Sequence, residues 1–372
     1  MSSVLLLVVV LALLAGQFYW LRGADPARER GAGTAIGRFL HTHPLVAPTA
    51  AVVVGFLLRV VWVVAVAAEP SETNSDTGRM LAMARQFADG ETYRLNGLVT
   101  AFHPPGLPFV LTPIAWVSRV TGWFSLPLGA GLLNAAAGTA SIGFGAVLAT
   151  RWFGRAAGVV AAWLLALAPG HIFLTAVPLT ETLFTATVLG TLVAITGLAR
   201  SPDAPSTRAL IGVGALIAFA TLVRGPGLVL ILVAWLQLRP AGTGWRDTAR
   251  TGVLLVAGTC ILFVPWTIRN GVQVGVWTPG ATNNAAFLCH GHGDHAVADV
   301  DDLTPEKFAI CFRGTPYDRE NPEEAAWYGR TAREAIGWAL THPIEEISLT
   351  VDKTAALFAG DRQSVSDASD FG

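Results

Sequence analysis

Charged side chains are scarce in this sequence. They make up 14% of its 372 residues, whereas hydrophobic residues make up 52%; an average soluble domain has about 25% charged residues. This scarcity excludes an ordinary soluble domain. The charges are also unevenly placed, because 16 of the 26 acidic residues but only 8 of the 25 basic ones follow Trp266. We therefore expect a basic part that lies in a membrane, followed by an acidic and more polar part.

Several functional motifs are missing as well. The sequence has no Walker loop, no Gly-x-Gly-x-x-Gly fingerprint, no Gly-x-Ser-x-Gly elbow and no His-Glu-x-x-His pair. Their absence disfavours ATP-driven transport, nucleotide-dependent redox chemistry and metalloprotease activity.

Long apolar runs are abundant instead. A run of about 17 to 25 residues can cross ~30 Å of hydrocarbon as a helix. Eight runs qualify as candidate spans: 3–22, 47–68, 126–149, 156–173, 182–199, 209–223, 226–238 and 251–267. The first lacks the basic start of a signal peptide, so we interpret it as a retained helix. The break at Arg224–Gly227 predicts a hairpin of two spans, with a single kinked span as the alternative.

Arginines mark one side of the membrane. They follow the first, third, fifth and seventh spans: Arg22, Arg28, Arg30, Arg38, Arg151, Arg155, Arg200, Arg208, Arg239, Arg246 and Arg250. Lys and Arg in short loops identify the cytoplasmic side. The amino terminus, the other loops and everything after Trp266 are therefore expected outside.

The first outer loop, 69–125, contains two further helical patterns. Counting Pro104–Val120 as a span would invert every later loop, so we interpret it as a helix lying along the outer interface, and Thr77–Asp89 as another. The predicted fold is an all-α polytopic membrane protein with about eight transmembrane helices, outer juxtamembrane helices and a short extracytoplasmic C-terminal segment. Its parts are an extra helix and loop at 1–46, a core at 47–267 and an outer segment at 268–372.

Two carboxylates stand at the predicted outer boundary. Asp76 follows the second span by a few residues, and Glu181 opens the fifth. Both residue types suit a helix start for structural reasons, Asp as an N-cap and Glu as a partner of the helix dipole. The functional alternative is a carboxylate that takes a proton from an acceptor hydroxyl, and we expect no basic partner beside Asp76.

Three arginines are candidate phosphate ligands. Arg224 and Arg269 lie at the outer boundary, where a guanidinium can hold a phosphate bidentately. For Arg224 the alternative is a helix-end anchor that reaches the interface. Arg59 lies nearer the middle of its span, where an arginine is costly and needs a partner in the bundle interior or a water-filled cavity.

Cysteine is rare, with three residues in all. Cys260 falls within the last span, whereas Cys289 and Cys311 fall in the outer segment, where a disulfide between them is predicted. The run from Cys289 to His295 contains three histidines, but it lacks Cys-x-x-Cys spacing and its glycines favour a flexible turn. We therefore predict no metal site there.

The order of these segments is more specific than any one of them. It runs Asp76, then His103-Pro104-Pro105-Gly106, Pro178-Leu179-Thr180-Glu181, Leu222-Val223-Arg224-Gly225-Pro226 and Pro265-Trp266-Thr267-Ile268-Arg269-Asn270. In this order, residues 47–300 resemble the GT-C superfamily of membrane glycosyltransferases. Within it they look most like the bacterial protein mannosyltransferase and aminoarabinose transferase branch, which uses polyprenyl-phosphate sugars.

The resemblance implies a role for each candidate. Asp76 maps onto the catalytic base and Glu181 onto a second acidic position. The donor would be a sugar on a polyprenyl phosphate, whose phosphate meets Arg224 and Arg269, while His103 lines the same cavity. The acceptor would be a cell-envelope glycan, lipid or protein. The need for a divalent metal stays open, and no other cofactor is expected.

Two other functions stay open: a transporter or flippase of lipid-linked sugars, and a non-catalytic membrane scaffold. The halves show no internal repeat, and the large polar outer loops fit catalysis better. We expect a multi-pass protein of the cell membrane with an extracytoplasmic active site and no nucleic-acid partner.

Overall fold

The computed structural model describes residues 46–67, 75–239, 244–298, 304–317 and 323–358. The predicted span at 3–22 and the arginines that follow it lie outside these residues. Within them the regular structure is helical apart from one hairpin of two short strands, β1 (Arg94–Leu95) and β2 (Leu98–Val99). The helices are α1 (Val46–Val66), α2 (Asp76–Ala88), α3 (Gly106–Thr121), α4 (Leu126–Phe153), α5 (Arg155–Leu167), α6 (Pro169–Phe173), α7 (Thr180–Ala199), α8 (Thr207–Val223), α9 (Leu230–Leu238), α10 (Trp245–Val274), α11 (Asn284–Gly291), α12 (Pro305–Phe312), α13 (Glu324–Thr341) and α14 (Pro343–Phe358).

Among the residues that the structure describes, four helices are long and apolar enough to cross a membrane, namely α1, α4, α7 and α10. Shorter apolar helices accompany them: α5, α8 and the segment Gly225–Leu238. In α1, large apolar side chains such as Val61 and Val64 are exposed, while the one charged residue, Arg59, is buried. This is the reverse of a soluble helix, and it suits hydrocarbon as the solvent. The helices indicate a multi-pass membrane protein, as predicted; the count of eight spans stays a prediction.

Two predicted spans differ from the helices observed. The span at 156–173 is interrupted, because α5 ends at Leu167 and Ala168 has an extended backbone before Pro169 begins α6. A residue before proline is driven out of the helical region, which explains the break. The last helix, α10, is 30 residues long and extends beyond the predicted 251–267 at both ends, with Pro265 inside it.

The chain reverses between α8 and α9. A 3-10 turn at Gly225–Val229 follows α8, and a Cβ atom on Gly227 would lie 2.7 Å from backbone atoms of Ala220 and Thr221. Residues seven apart are roughly two turns distant in a continuous helix. The close approach therefore identifies a hairpin rather than a continuous helix, and a span of the membrane by each of its two arms stays a prediction.

The described residues form two compact units. One contains 46–94 and 104–266, and we call it the membrane unit; the other contains 95–103 and 267–358, and we call it the tail unit. The division at 266/267 lies one residue from the predicted boundary. The predicted outer loop 69–125, however, is shared between the units, because the segment 95–103 belongs to the tail unit.

Glycine permits a close helix crossing in the membrane unit. A Cβ atom on Gly214 of α8 would lie 2.2 Å from the carbonyl oxygen of Leu255, and one on Gly258 of α10 would lie 2.2 Å from that of Ile211. The two helices thus meet backbone to backbone, in the way that small residues allow in membranes.

The tail unit has its own core, formed by Phe102, Ala285, Ala286 and Trp327. Phe102 comes from the segment 95–103, so this short stretch of the first outer loop is built into the tail unit. Glu324 at the start of α13 accepts hydrogen bonds from the backbone N–H of Ala101 and the hydroxyl of Thr282.

Candidate functional site

Asp76 is the first residue of α2 and is not its N-cap. Ser75 has the cap position, with an extended backbone and a hydroxyl that accepts the N–H of Gly78 at 3.1 Å. The carboxylate of Asp76 is 67% exposed and bonds Arg79, one turn later, at 3.0 Å. The cap interpretation of Asp76 is therefore wrong, and so is the expectation that it has no basic partner. Asp and Ser serve equally well as caps, so residue type did not decide between them.

The helices of the first outer loop pack on the rest of the membrane unit. One apolar cluster contains Met80 of α2, Leu111 of α3, Leu183 of α7 and Val223 of α8. Met80 lies one turn after Asp76, Leu183 lies two residues after Glu181, and Val223 directly precedes Arg224. The cluster therefore gathers the elements that carry the three candidate residues into one region of the membrane unit.

Gly106, from the His-Pro-Pro-Gly run, makes a second link in this region. A Cβ atom on it would lie 2.5 Å from the backbone N of Val223 and 2.6 Å from the carbonyl carbon of Leu222. The start of α3 thus packs directly on the last turn of α8. Only glycine permits this approach, which explains its presence at the helix start.

Glu181 and Arg224 form an ion pair. Nη1 of Arg224 donates to Oε1 of Glu181 at 2.5 Å, and both side chains are 32% exposed. Glu181 lies in the first turn of α7, and Arg224 is the C-cap of α8. From the sequence, the two residues are separate candidates, Glu181 for catalysis and Arg224 for phosphate binding, and the structure brings them together. A guanidinium has five N–H groups, so Arg224 retains donors for a second acceptor.

Asn134 of α4 supports the turn before Glu181, and the sequence analysis missed it. Its side chain is buried, and Nδ2 donates to the carbonyl of Val177 at 2.9 Å. A buried amide in an apolar helix is a signal that hydropathy counting passes over, because one polar residue barely changes the average. Asn134 therefore positions the chain that leads into α7.

Arg59 contacts backbone carbonyls. It is 1% exposed, and its guanidinium donates to Gly55 on its own helix at 2.9 Å, to Leu165 at 2.9 Å and to Ala166 at 3.3 Å. The last two carbonyls belong to the final turn of α5, which has no intrahelical partners for them. Arg59 therefore caps α5 inside the membrane unit, and this contact provides the buried partner that the sequence analysis expected.

Arginines collect at the end of α7 opposite the ion pair. Arg151 at the end of α4 donates to the hydroxyl of Thr196 at 2.7 Å, and Arg200 donates to the carbonyl of Arg151. Arg250 of α10 donates to Thr207, the first residue of α8, at 2.7 Å. The membrane unit thus has one arginine-rich end and one end with the three candidate site residues.

His103 and Arg269 belong to the tail unit. His103 is buried, with Nε2 at 2.7 Å from the hydroxyl of Tyr317. Arg269 donates to the carbonyl of Thr100 at 2.6 Å and to the side chain of Asn270 at 3.1 Å. Both residues hold the segment 95–103 within the tail unit, and their predicted contact with the donor stays a prediction.

Cys289 of α11 and Cys311 of α12 are joined by a disulfide, with Cα atoms 5.7 Å apart. His295 lies beside them, with Nε2 at 3.3 Å from Sγ of Cys289 and 3.4 Å from Sγ of Cys311. Of the neighbouring histidines, His292 pairs with Glu346 at 2.9 Å. The structure thus contains the disulfide that the sequence analysis predicted, and it adds a histidine.

No protein-family model, curated protein or solved structure matches this chain.

Proposed function

We propose that the protein is a membrane glycosyltransferase that moves a sugar from a polyprenyl-phosphate donor to an acceptor hydroxyl on the extracytoplasmic side. One observation carries the proposal. The exposed carboxylate of Asp76 and the ion pair of Glu181 with Arg224 adjoin the same apolar cluster, at the end of the membrane unit away from its arginine-rich end.

Asp76 suits the role of general base. Its carboxylate is the most exposed of the three groups, so a water-borne acceptor can reach it. It takes the proton of the attacking hydroxyl while the acceptor oxygen bonds the anomeric carbon of the sugar. Arg79 keeps the carboxylate oriented from one side and leaves its second oxygen available.

Arg224 is suited to stabilising the leaving group. The bond from the anomeric carbon to the phosphate oxygen breaks, and the electron pair stays on the lipid phosphate, whose negative charge grows. A guanidinium beside that oxygen stabilises the transition state more than the ground state. Glu181 holds the guanidinium through its ion pair, so it acts here as a positioning residue.

The two ends of the membrane unit suggest the orientation. Short loops rich in Lys and Arg favour the cytoplasmic side, and this supports our proposal that Asp76 and Arg224 face the outside of the cell membrane. A lipid-linked donor suits that side, because its polyprenyl chain keeps the sugar at the surface of the bilayer after it has crossed. The acceptor is then a glycan, lipid or protein of the cell envelope.

The test is transfer by purified full-length protein in nanodiscs. The probes are polyprenyl phosphates that carry radiolabelled hexoses or pentoses, with a detergent extract of the cell envelope as the source of acceptors. We expect label to move to an acceptor and free polyprenyl phosphate to accumulate in equal amounts. In sealed proteoliposomes, movement of intact donor between leaflets without release of polyprenyl phosphate would instead identify a flippase. If neither transfer nor movement between leaflets occurs, the protein is a non-catalytic scaffold.

A further inference from the structure

We infer that Cys289, Cys311 and His295 form a redox-gated binding site for a soft divalent cation such as zinc. In the oxidised chain the two sulfurs are bonded to each other, and in the reduced chain they are thiolate ligands. Disulfide and metal are thus alternative states of the same three side chains. The inference does not depend on glycosyl transfer.

The position of the imidazole carries the inference. Its Nε2 atom is nearly equidistant from the two sulfurs, at 3.3 and 3.4 Å, and all three ligand atoms lie within 4.8 Å of one another. A disulfide needs no such neighbour. Zinc binds thiolate at about 2.3 Å and imidazole at about 2.0 Å, so small movements of the three side chains can surround an ion between them.

Gly293 lets the imidazole reach this position. Its φ of +144° is a conformation that other residues rarely adopt, and a Cβ atom there would lie 2.6 Å from Cε1 of His295. The turn therefore folds the ring back onto the sulfurs. The glycines of this run predict a flexible turn and no metal site, whereas in the structure Gly293 makes room for the ring.

The surroundings leave room for a fourth ligand. A cavity of about 370 Å³ in the tail unit is lined by Cys289, His295, Asp294 and Glu334, together with two arginines. Three protein ligands plus an open position is the arrangement of accessible zinc sites. Two thiolates neutralise the charge of the ion, so the arginines do not oppose its binding.

The change of state has a defined balance. A dithiol of the thioredoxin class supplies two electrons and two protons, the bond between Cys289 and Cys311 breaks, and the dithiol becomes a disulfide. Binding of the cation then releases the two thiol protons to water. In the metal-bound state Nε2 of His295 coordinates the cation, so the ring proton must lie on Nδ1. In the oxidised chain Nε2 instead lies 3.0 Å from the carbonyl oxygen of Cys289.

The experiment compares oxidised and reduced full-length protein in detergent, each equilibrated with zinc, desalted and analysed for metal by mass spectrometry. We expect about one zinc ion per reduced chain and none per oxidised chain. His295→Gln should weaken zinc binding at least about tenfold, since even loss of a residue that only supports a ligand costs 10- to 100-fold. The matched control is His342→Gln, a histidine of the same unit that does not line this cavity and whose Nδ1 atom lies 3.1 Å from the carbonyl oxygen of Trp338, and it should bind as wild type.

Cobalt provides a second readout that does not depend on the variants. The reduced wild-type chain should show thiolate-to-cobalt charge transfer and the absorption of tetrahedral cobalt, and Cys260→Ser should not change either. The inference is overturned if reduced wild type lacks the charge-transfer band. The inference is also overturned if oxidised protein binds as much zinc as reduced protein, or if the double variant Cys289→Ser and Cys311→Ser still binds zinc as the reduced wild type does.

Discussion

Arg224 donates to Glu181 across the ends of two antiparallel helices, and each residue also offsets the dipole of its own helix. Glu181 lies at an N-terminus, where negative charge is favoured, and Arg224 at a C-terminus, where positive charge is favoured. One third of each side chain is exposed, so solvent screens the pair and its contribution to stability is small. We therefore expect its loss to affect function more than folding.

Arg224→Ala should lower kcat/KM for the lipid-linked donor by roughly 10- to 100-fold, because a charge-assisted contact to phosphate contributes about 1.5 to 3 kcal/mol. Glu181→Gln should have a smaller effect, since the guanidinium stays but loses its anchor. The matched control is Arg239→Ala, at the other end of the same hairpin, where the side chain lies over Trp235. Equal losses in Arg224→Ala and Arg239→Ala would contradict a specific role in phosphate binding.

Asp76→Asn should abolish sugar transfer while the protein folds as before. The helix keeps its cap, because that role belongs to Ser75. The carboxylate of Asp76 is 67% exposed, so solvent screens its pair with Arg79 and the pair contributes at most about 1 kcal/mol. Transfer assays and thermal unfolding of the same preparations separate the two effects.

Two neighbouring variants serve as controls for Asp76. Arg79→Ala removes the ion pair but leaves the carboxylate, so transfer should persist. Ser75→Ala should lower the free energy of unfolding by about 1 kcal/mol without abolishing transfer. If Asp76→Asn retains transfer near the wild-type rate, the base lies elsewhere and Glu181 becomes the next candidate.

Arg59→Met should lower the free energy of unfolding by roughly 3 kcal/mol, because it leaves the carbonyl oxygens of Leu165 and Ala166 without their donor and each such loss costs about 1 to 3 kcal/mol. Unfolding in detergent or bicelles measures this effect. Val61→Met is the control on the same helix, at an exposed position, and should change stability by less than about 0.5 kcal/mol. A stable Arg59→Met variant that fails to bind the donor would instead restore the phosphate-binding role predicted for Arg59.

The stability of the tail unit should depend on pH through Glu324. Burial raises the pKa of this carboxyl, while the hydrogen bond from Thr282 and the charge of Arg269 act in the opposite direction. The folded chain thus binds the proton more tightly than the unfolded chain does. The free energy of unfolding is therefore highest below the unfolded pKa of about 4.3 and falls as pH rises through the folded pKa.

Glu324→Gln should remove this pH dependence, because an amide stays neutral and can still accept the hydrogen bonds from Ala101 and Thr282. Hydrogen exchange of α11, followed across that pH range and corrected for the intrinsic rate, reports local unfolding of the tail unit. The exposed neighbour provides the control, and Glu323→Gln should keep the wild-type pH profile. A profile in Glu324→Gln identical to that of wild type would rule out Glu324 as the source.

Hydropathy predicted the long helices of this protein well, because a chain in hydrocarbon must satisfy its backbone by helix formation. The reversal of the chain at Arg224 was also predictable, because Gly225 and Pro226 break a helix at their own position in the sequence. The interruption before Pro169 was missed even though the proline was visible, since the apolar run continues through it.

Contacts between residues that are far apart in the chain could not be predicted from the sequence. Arg59 bonds carbonyls more than a hundred residues away, and any helix end offers such acceptors, so no residue type marks the partner. Glu324 bonds Ala101 and Thr282, which lie 223 and 42 residues away in the sequence. The ion pair of Glu181 with Arg224 likewise depends on how α7 and α8 pack. The two residues lie in different loops of the sequence, so their pairing could not be predicted.

The crossing of α8 and α10 is made of main-chain atoms on both sides, at Gly214 and Gly258. Two helices that touch through their backbones cannot relieve an added methyl group by changing a rotamer, so one alanine already forces the axes apart. Gly214→Ala and Gly258→Ala should therefore each lower stability by about 1 to 3 kcal/mol, while the double variant should cost little more than either single one. Gly212→Ala on the same helix, with open space at its Cβ position, should be tolerated. The crossing is thus a site of strong epistasis, at which the first substitution removes most of the selection against the second.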